Sequence, residues 1–137
     1  MVLVDTPVWS LALRRRTVDL SPSEQLLTQK LAQLIEQHRV SMLGVTRQEI
    51  LSGIREEAQF RRIRDYLRDF PNVALESADY EEAAHASNDC RRVGITGSPV
   101  DMLICALSVR YKWEIFTTDL DFTHYKRVLK IHLLGRS

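Results

Sequence analysis

Cysteine is scarce in this chain: Cys90 and Cys105 are the only two. Both fall in helix-like sequence, so they read as small fillers of the interior, not as a disulfide framework or metal ligands. Glycine and proline are scarce as well, at five and four residues. No Gly/Ser/Pro-rich linker, low-complexity tract or repeat breaks the 137 residues, which predicts a single domain over 1–137. Long apolar runs are missing too, and nothing approaches the roughly 20 residues a membrane helix needs. The first apolar run, residues 1–4, stops at Asp5 and is too short for a secretory signal. Nor is there an excess of charge of one sign: 19 basic against 18 acidic side chains leave a formal net charge of +1. Such a balance does not coat a polyanion, so any nucleic-acid contact must come from a local patch. These absences predict a cytoplasmic protein with reduced thiols and no membrane contact.

What the chain does have is a core and an alternating pattern. Hydrophobic residues make up 45% of it, enough for a sizeable interior. Residues 2–4 read as a strand, followed by a brief helix from Pro7, whose ring suits the first helical turn. Ser21-Pro22 opens a long amphipathic helix with Leu26, Leu27, Leu31, Leu34 and Ile35 on one side. Residues 40–43 form a second strand-like run. A helix is expected from Thr46, with Gly53 marking its end or a break within it, and a charged helix over 56–70, before Pro71. A third strand is expected at 73–75 and a helix at 78–93. "SPVDMLICALSVRY" is apolar nearly all round, the mark of a buried helix. "EIFTT" and "LKIHLL" supply the last strands. Strands alternating with helices predict an α/β fold with a mostly parallel central sheet of four or five strands.

Carboxylates recur at equivalent places in this pattern. Asp5 follows strand one, Glu49 lies in the first turn of the helix after strand two, and Asp101 opens the buried helix. Asp119 follows the "EIFTT" strand, with Asp121 two residues on. In an open α/β sheet the carboxyl ends of strands and the amino ends of the next helices share the edge where ligands bind. Each acid also has a plain structural explanation. "TRQE" matches a capping box, "SPVD" puts proline and an acid in a first turn, and first-turn acids complement the helix dipole. Two observations favour a site. Asp101 heads a helix with no other charge before Arg110, where a carboxylate is costly unless paired, hydrogen-bonded or bound to a metal. Separate caps also do not explain why all these acids fall on one edge. Crowded carboxylates repel, and a hard divalent cation with oxygen ligands relieves this.

With those residues in place a family becomes recognisable. "LVDTPVWS", "TRQEILSGIR", "SPVDMLICALS" and "FTTDLDF", in this order, resemble the PIN-domain nucleases, in particular VapC-type toxins of toxin–antitoxin pairs. The resemblance implies a three-layer α/β/α sandwich. It also implies an acidic quartet of Asp5, Glu49, Asp101 and Asp119, with Asp121 as a fifth acid. Asp5 and Asp101 are the expected direct ligands of Mg²⁺, or of Mn²⁺, which accepts the same oxygen donors. Thr6 and Thr118 match family hydroxyl positions beside the site, while Pro7 stands where many relatives carry Ser or Asn. The implied activity is metal-dependent endonucleolytic cleavage of RNA. The implied partners are a cognate antitoxin, the RNA substrate and a second copy in a homodimer.

An acidic pocket repels phosphate, so cations are expected at its rim. Arg14, Arg15 and Arg16 are the sharpest cluster; Arg47, Arg55, Arg91, Arg92, Lys112, Lys126 and Arg127 are further candidates. Leu27, Leu34, Ile50, Ile54, Phe60, Ile63 and Leu67 either line a groove for a partner helix or pack on the sheet. Trp9 and Trp113 are expected in or near the core. The four histidines show no zinc spacing, and only His124 lies close to an acid of interest. Three rivals share parts of the pattern. A housekeeping PIN nuclease would keep the same site. A phosphatase wants an acid where Pro7 stands, and a receiver domain wants a late lysine where "FTTDLDF" has acids. A non-catalytic binding module has no need of a complete quartet.

Overall fold

The computed structural model describes residues 1–135. It is an α/β structure with four strands, β1 (Val2–Val4), β2 (Val40–Ser41), β3 (Glu114–Phe116) and β4 (His132–Leu133). They form a parallel sheet in the order β2-β1-β3-β4, the lower of the two expected strand counts. Seven α-helices occur among the described residues. None is long and apolar enough to cross a membrane. The chain divides into two compact units, Met1–Leu3 with Ala74–Ser137, and Val4–Val73.

In the unit Val4–Val73, α1 (Thr6–Leu13) is capped by Asp5, and a 3₁₀ turn (Thr17–Asp19) follows. α2 (Pro22–Glu36) starts with a complete capping box between Ser21 and Glu24. It buries Leu31 and Leu34, whereas Leu26 is 65% exposed, because it stands one residue off the stripe that Leu27, Leu31 and Leu34 define. α3 (Gly44–Leu51) begins two residues earlier than the sequence predicts. Thr46 is therefore buried inside the helix and is not its cap. Gly53, at φ +88°, follows the helix in the left-handed region, as expected of a terminating glycine.

α4 (Glu57–Leu67) ends before Pro71. The strand expected at 73–75 does not form. Pro71 has no N–H to give, and the segment makes only a parallel bridge between Met42 and Asn72, with the Val73 N–H donating to the Met42 carbonyl at 2.8 Å. Helices α1, α2, α3 and α4 pack on one another. Trp9 is fully buried in this core, edge-on to Phe70 at 5.3 Å. Leu34, Ile50, Ile54, Ile63 and Leu67 are buried as well, so of the two readings open for this set, interior packing is the one most of them follow.

In the other unit, α5 (Ser77–Arg92) packs on α6 (Pro99–Tyr111). Met102 to Ser108 are buried without a break, which makes α6 the enclosed helix the sequence predicts. Ser108 is the polar exception. Its hydroxyl donates to the Trp113 carbonyl at 2.7 Å and accepts from the His132 N–H at 2.9 Å, pinning the turn after α6 to β4. Lys112, at φ +58°, makes that turn. β3 and β4 pair in parallel, Glu114 opposite His132 and Ile115 opposite Leu133. Between them lies α7 (Asp121–Lys126), with Phe122 and Tyr125 buried. At the start of α5 the buried Asp79 carboxylate accepts from the Glu76 N–H at 2.8 Å and from Arg110 at 2.6 Å. Arg110 is thereby a strut between α5 and α6.

Candidate metal centre

Three acids converge in the second unit. Asp101 sits in the first turn of α6, where Ser98 caps the helix by accepting from the Asp101 N–H at 3.0 Å. The Asp101 carboxylate accepts from the Tyr125 hydroxyl at 2.7 Å. Asp119 follows β3, and its N–H donates to the Thr117 hydroxyl at 3.0 Å. Its carboxylate accepts from the Asp121 N–H at 2.9 Å, an Asx turn that starts α7. One carboxylate oxygen from each of Asp101, Asp119 and Asp121 lies within 4.8 Å of the other two. Asp101 and Asp119 are half-buried, and Asp121 is exposed.

This donor set is all oxygen and all anionic, with no imidazole or thiolate among the three. It suits a hard divalent ion such as Mg²⁺, Mn²⁺ or Ca²⁺ and argues against a zinc site. The electrostatics agree. Burial pushes the Asp101 carboxyl above its ordinary range, the bonds from Tyr125 and Ser98 oppose this, and the neighbouring Asp119 and Asp121 add to the rise. The Tyr125 phenol is pushed well above the usual tyrosine range by burial first and by Asp101 second, so it remains a donor.

The other two acids meet in the unit Val4–Val73. Asp5, 6% exposed, accepts from the Thr6 N–H at 2.9 Å and so caps α1. The Thr6 hydroxyl donates to the Glu49 carboxylate at 3.2 Å. Glu49 lies in the second turn of α3, not the first, and the expected TRQE capping box is absent because Thr46 is inside the helix. Glu49 is exposed, oriented by Thr6 and free of any cap duty.

Of the two hydroxyls singled out in the sequence, Thr6 joins Asp5 to Glu49, whereas Thr118 is exposed and its neighbour Thr117 holds Asp119. Tyr125 was not anticipated. Its only signal is its place four residues after Asp121 in an apolar helix position, and nothing in the pattern ties it to Asp101. Arg14 and Arg16 are exposed, while Arg15 is paired with Glu24 at 3.3 Å. Arg47 is not a rim cation. Its guanidinium donates to the Asn72 side chain at 2.9 Å and to the Leu67 and Phe70 carbonyls, closing the C-terminal end of α4.

Compared by sequence with curated proteins, the chain has no significant match. Among solved structures it is similar to FitAcB from Neisseria gonorrhoeae, with a TM-score of 0.76 and 16% identity, covering 98% of this chain and 97% of that one. It is also similar to VapBC2 from Rickettsia felis bound to a DNA fragment from their promoter, with a TM-score of 0.73, 11% identity and full coverage of both chains. A third similar structure is FitAB bound to an IR36 DNA fragment, at a TM-score of 0.73 and 16% identity over 98% of this chain and 94% of that one. At such identities the likeness is one of fold. The family model of the PIN domain matches residues 2–128, and the chain belongs to the PIN domain family.

Proposed function

We propose that this protein is a metal-dependent endoribonuclease acting as the toxin of a toxin–antitoxin pair. The observation that carries the reading is the trio Asp101, Asp119 and Asp121, whose carboxylate oxygens approach within 4.8 Å with Asp101 held by Tyr125. Family membership supports the nuclease reading, and the FitAcB, FitAB and VapBC2 structures support the antitoxin partner.

On this reading Asp5, Glu49, Asp101 and Asp119 are the catalytic acids of a single-domain protein. Asp5 and Asp101 hold Mg²⁺, or Mn²⁺ in its place, and Glu49, Asp119 and Asp121 position waters or a second ion. The ion supplies a lowered water pKa and charge neutralisation at the phosphoryl oxygens. The chain's own residues do the rest. Thr6 keeps the Glu49 carboxylate aimed, Tyr125 fixes the rotamer of Asp101, and Thr117 fixes the turn that presents Asp119 and Asp121. Arg14 and Arg16 are the RNA phosphate contacts, with Arg15 reduced to a lesser part by Glu24. The antitoxin inhibits by bringing a guanidinium to the same carboxylates, where charge-assisted bonds are strong. The toxin works in the cytoplasm as a homodimer.

The test is incubation of the purified protein with total cellular RNA, with and without Mg²⁺, followed by mapping of new ends. New ends that require the ion are expected from the wild type, and none from Asp5→Asn. Asn caps a helix about as well as Asp, so α1 stays folded and the loss reports chemistry. Wild-type rates from Asp5→Asn, or cleavage indifferent to the ion, would overturn the reading.

A further inference from the structure

Helix α7 does more than deliver Asp121. A cleft of about 290 Å³ is lined by Gly94, Ile95, Thr96, Asp121, His124 and Tyr125. Asp121 belongs both to this cleft and to the acid trio, and Tyr125 is the residue whose hydroxyl holds Asp101. The cleft therefore opens directly off the carboxylates. Its opposite wall is the connection between α5 and α6. A Cβ at Gly97 would come 2.4 Å from the Met102 Cε and 3.2 Å from the Tyr125 ring, so the missing side chain is what lets this connection lie against α6 and α7. Gly94, at φ +81°, turns the chain into the wall.

The lining offers an aliphatic side chain, a hydroxyl, an exposed imidazole and a carboxylate, and it holds no lysine or arginine. An anionic group is the wrong occupant. A flat, neutral heterocycle with N–H donors on its edge is the right one: a face for the imidazole, an edge for the carboxylate and hydroxyl, and Ile95 to exclude water. An unpaired nucleobase has this character. We propose that the cleft holds the base of a single-stranded RNA nucleotide next to the scissile phosphate, stacked on His124 and hydrogen-bonded to Asp121 and Thr96. A base preference follows from the donors. A carboxylate only accepts. Guanine offers it two adjacent N–H groups, adenine and cytosine an exocyclic amine, and uracil a single N–H between two carbonyl oxygens. Guanine is expected first and uracil last. This inference rests on the nuclease reading above and assigns that site a specificity pocket.

The experiment measures binding separately from cleavage. Asp5→Asn protein with Mg²⁺ is titrated by fluorescence anisotropy against oligouridine and against the same oligonucleotide carrying one guanosine, adenosine or cytidine. The guanosine oligonucleotide is expected to bind tightest. Adding His124→Ala should weaken it about fivefold or more, the scale of one base–aromatic stack, and level the four affinities. Adding His124→Phe instead should retain affinity, since it keeps the stacking ring; that rescue separates stacking from a merely structural role. The Tm without Mg²⁺ should be the same in all three proteins. Equal affinities for the four oligonucleotides, or an indifferent His124→Ala, would overturn the proposal. If the wild type cuts RNA while His124 is indifferent, only the pocket is refuted; if it neither cuts nor responds to Mg²⁺, the nuclease reading fails with it.

Discussion

Replacing Asp101 by Asn is expected to stabilise the metal-free protein while removing its response to a divalent ion. Two like charges 4.8 Å apart repel by about 1 kcal/mol in water and about 3.5 kcal/mol at an effective dielectric of 20. Asp121 is exposed and its two neighbours half-buried, so solvent screening places each pair near the lower figure. Asp101 takes part in two of the three pairs, so the substitution relieves about 2 kcal/mol. Against this, the 2.7 Å bond from Tyr125 changes from a charged to a neutral acceptor, which costs about 1 kcal/mol. The net gain of about 1 kcal/mol raises Tm by about 3–5 °C for a chain of this length.

The pH dependence carries the same sign. The folded pKa of Asp101 lies above the ordinary value of 3.8, chiefly through burial. Its contribution to stability is therefore fully present below that value and is lost as pH rises through the folded pKa. The variant has no such loss, so the gap between the two proteins opens with rising pH. Mg²⁺ at ten times its dissociation constant adds about 1.4 kcal/mol to the wild type and nothing to the variant, which brings the wild type level with the variant or above it. Thermal unfolding at pH 5 and pH 7.5, in EDTA and in Mg²⁺, reads all of these effects. A variant that melts below wild type in EDTA, or that gains as much from Mg²⁺, would refute the reasoning.

Gly97→Ala would place its Cβ 2.4 Å from the Met102 Cε and 3.2 Å from the Tyr125 ring, so the Met102 tip must swing away and the ring must give by about a few tenths of an ångström. Overpacking of this kind costs about 1–3 kcal/mol, and the Mg²⁺ titration of Tm should shift to higher concentration because the Tyr125–Asp101 bond is disturbed; unchanged ion affinity would separate the two. Arg47→Ala should lower stability by about 1–3 kcal/mol, since it strands the Leu67 and Phe70 carbonyls. It should leave the salt dependence of RNA binding unchanged, whereas Arg14→Ala should flatten it; a flattened slope from Arg47→Ala would return that residue to the RNA interface.

Asp5, Asp101, Asp119 and Asp121 were legible in the sequence because each follows a strand or begins a helix, and such ends are written locally. Asp119 and Asp121 sit two residues apart, so their turn could be read directly. The alternation of elements and the enclosed helix α6 were legible for the same reason: apolar periodicity is a local signal. Illegible were the decisions made by packing. TRQE has the letters of a capping box, but burial of Thr46 moved the helix start to Gly44. Arg47 has the look of a surface cation, yet the open carbonyls after α4 claimed it. Residues 73–75 have the composition of a strand, but only one ladder bond was on offer. Tyr125 and Asp101 are 24 positions apart, and no pattern in one dimension couples them.

Residues 1–3 are committed to a strand that lies far along the sequence. The Met1 carbonyl accepts from the Glu114 N–H at 3.3 Å, and residues 1–3 belong to the unit that also contains everything from Ala74 onward. On a ribosome adding about 5–20 residues each second, that first strand emerges several seconds before β3, one of its two neighbours in the sheet, has been made. The sheet of a nascent copy thus stays incomplete until Glu114 has been made, and the first strand must wait with one edge open.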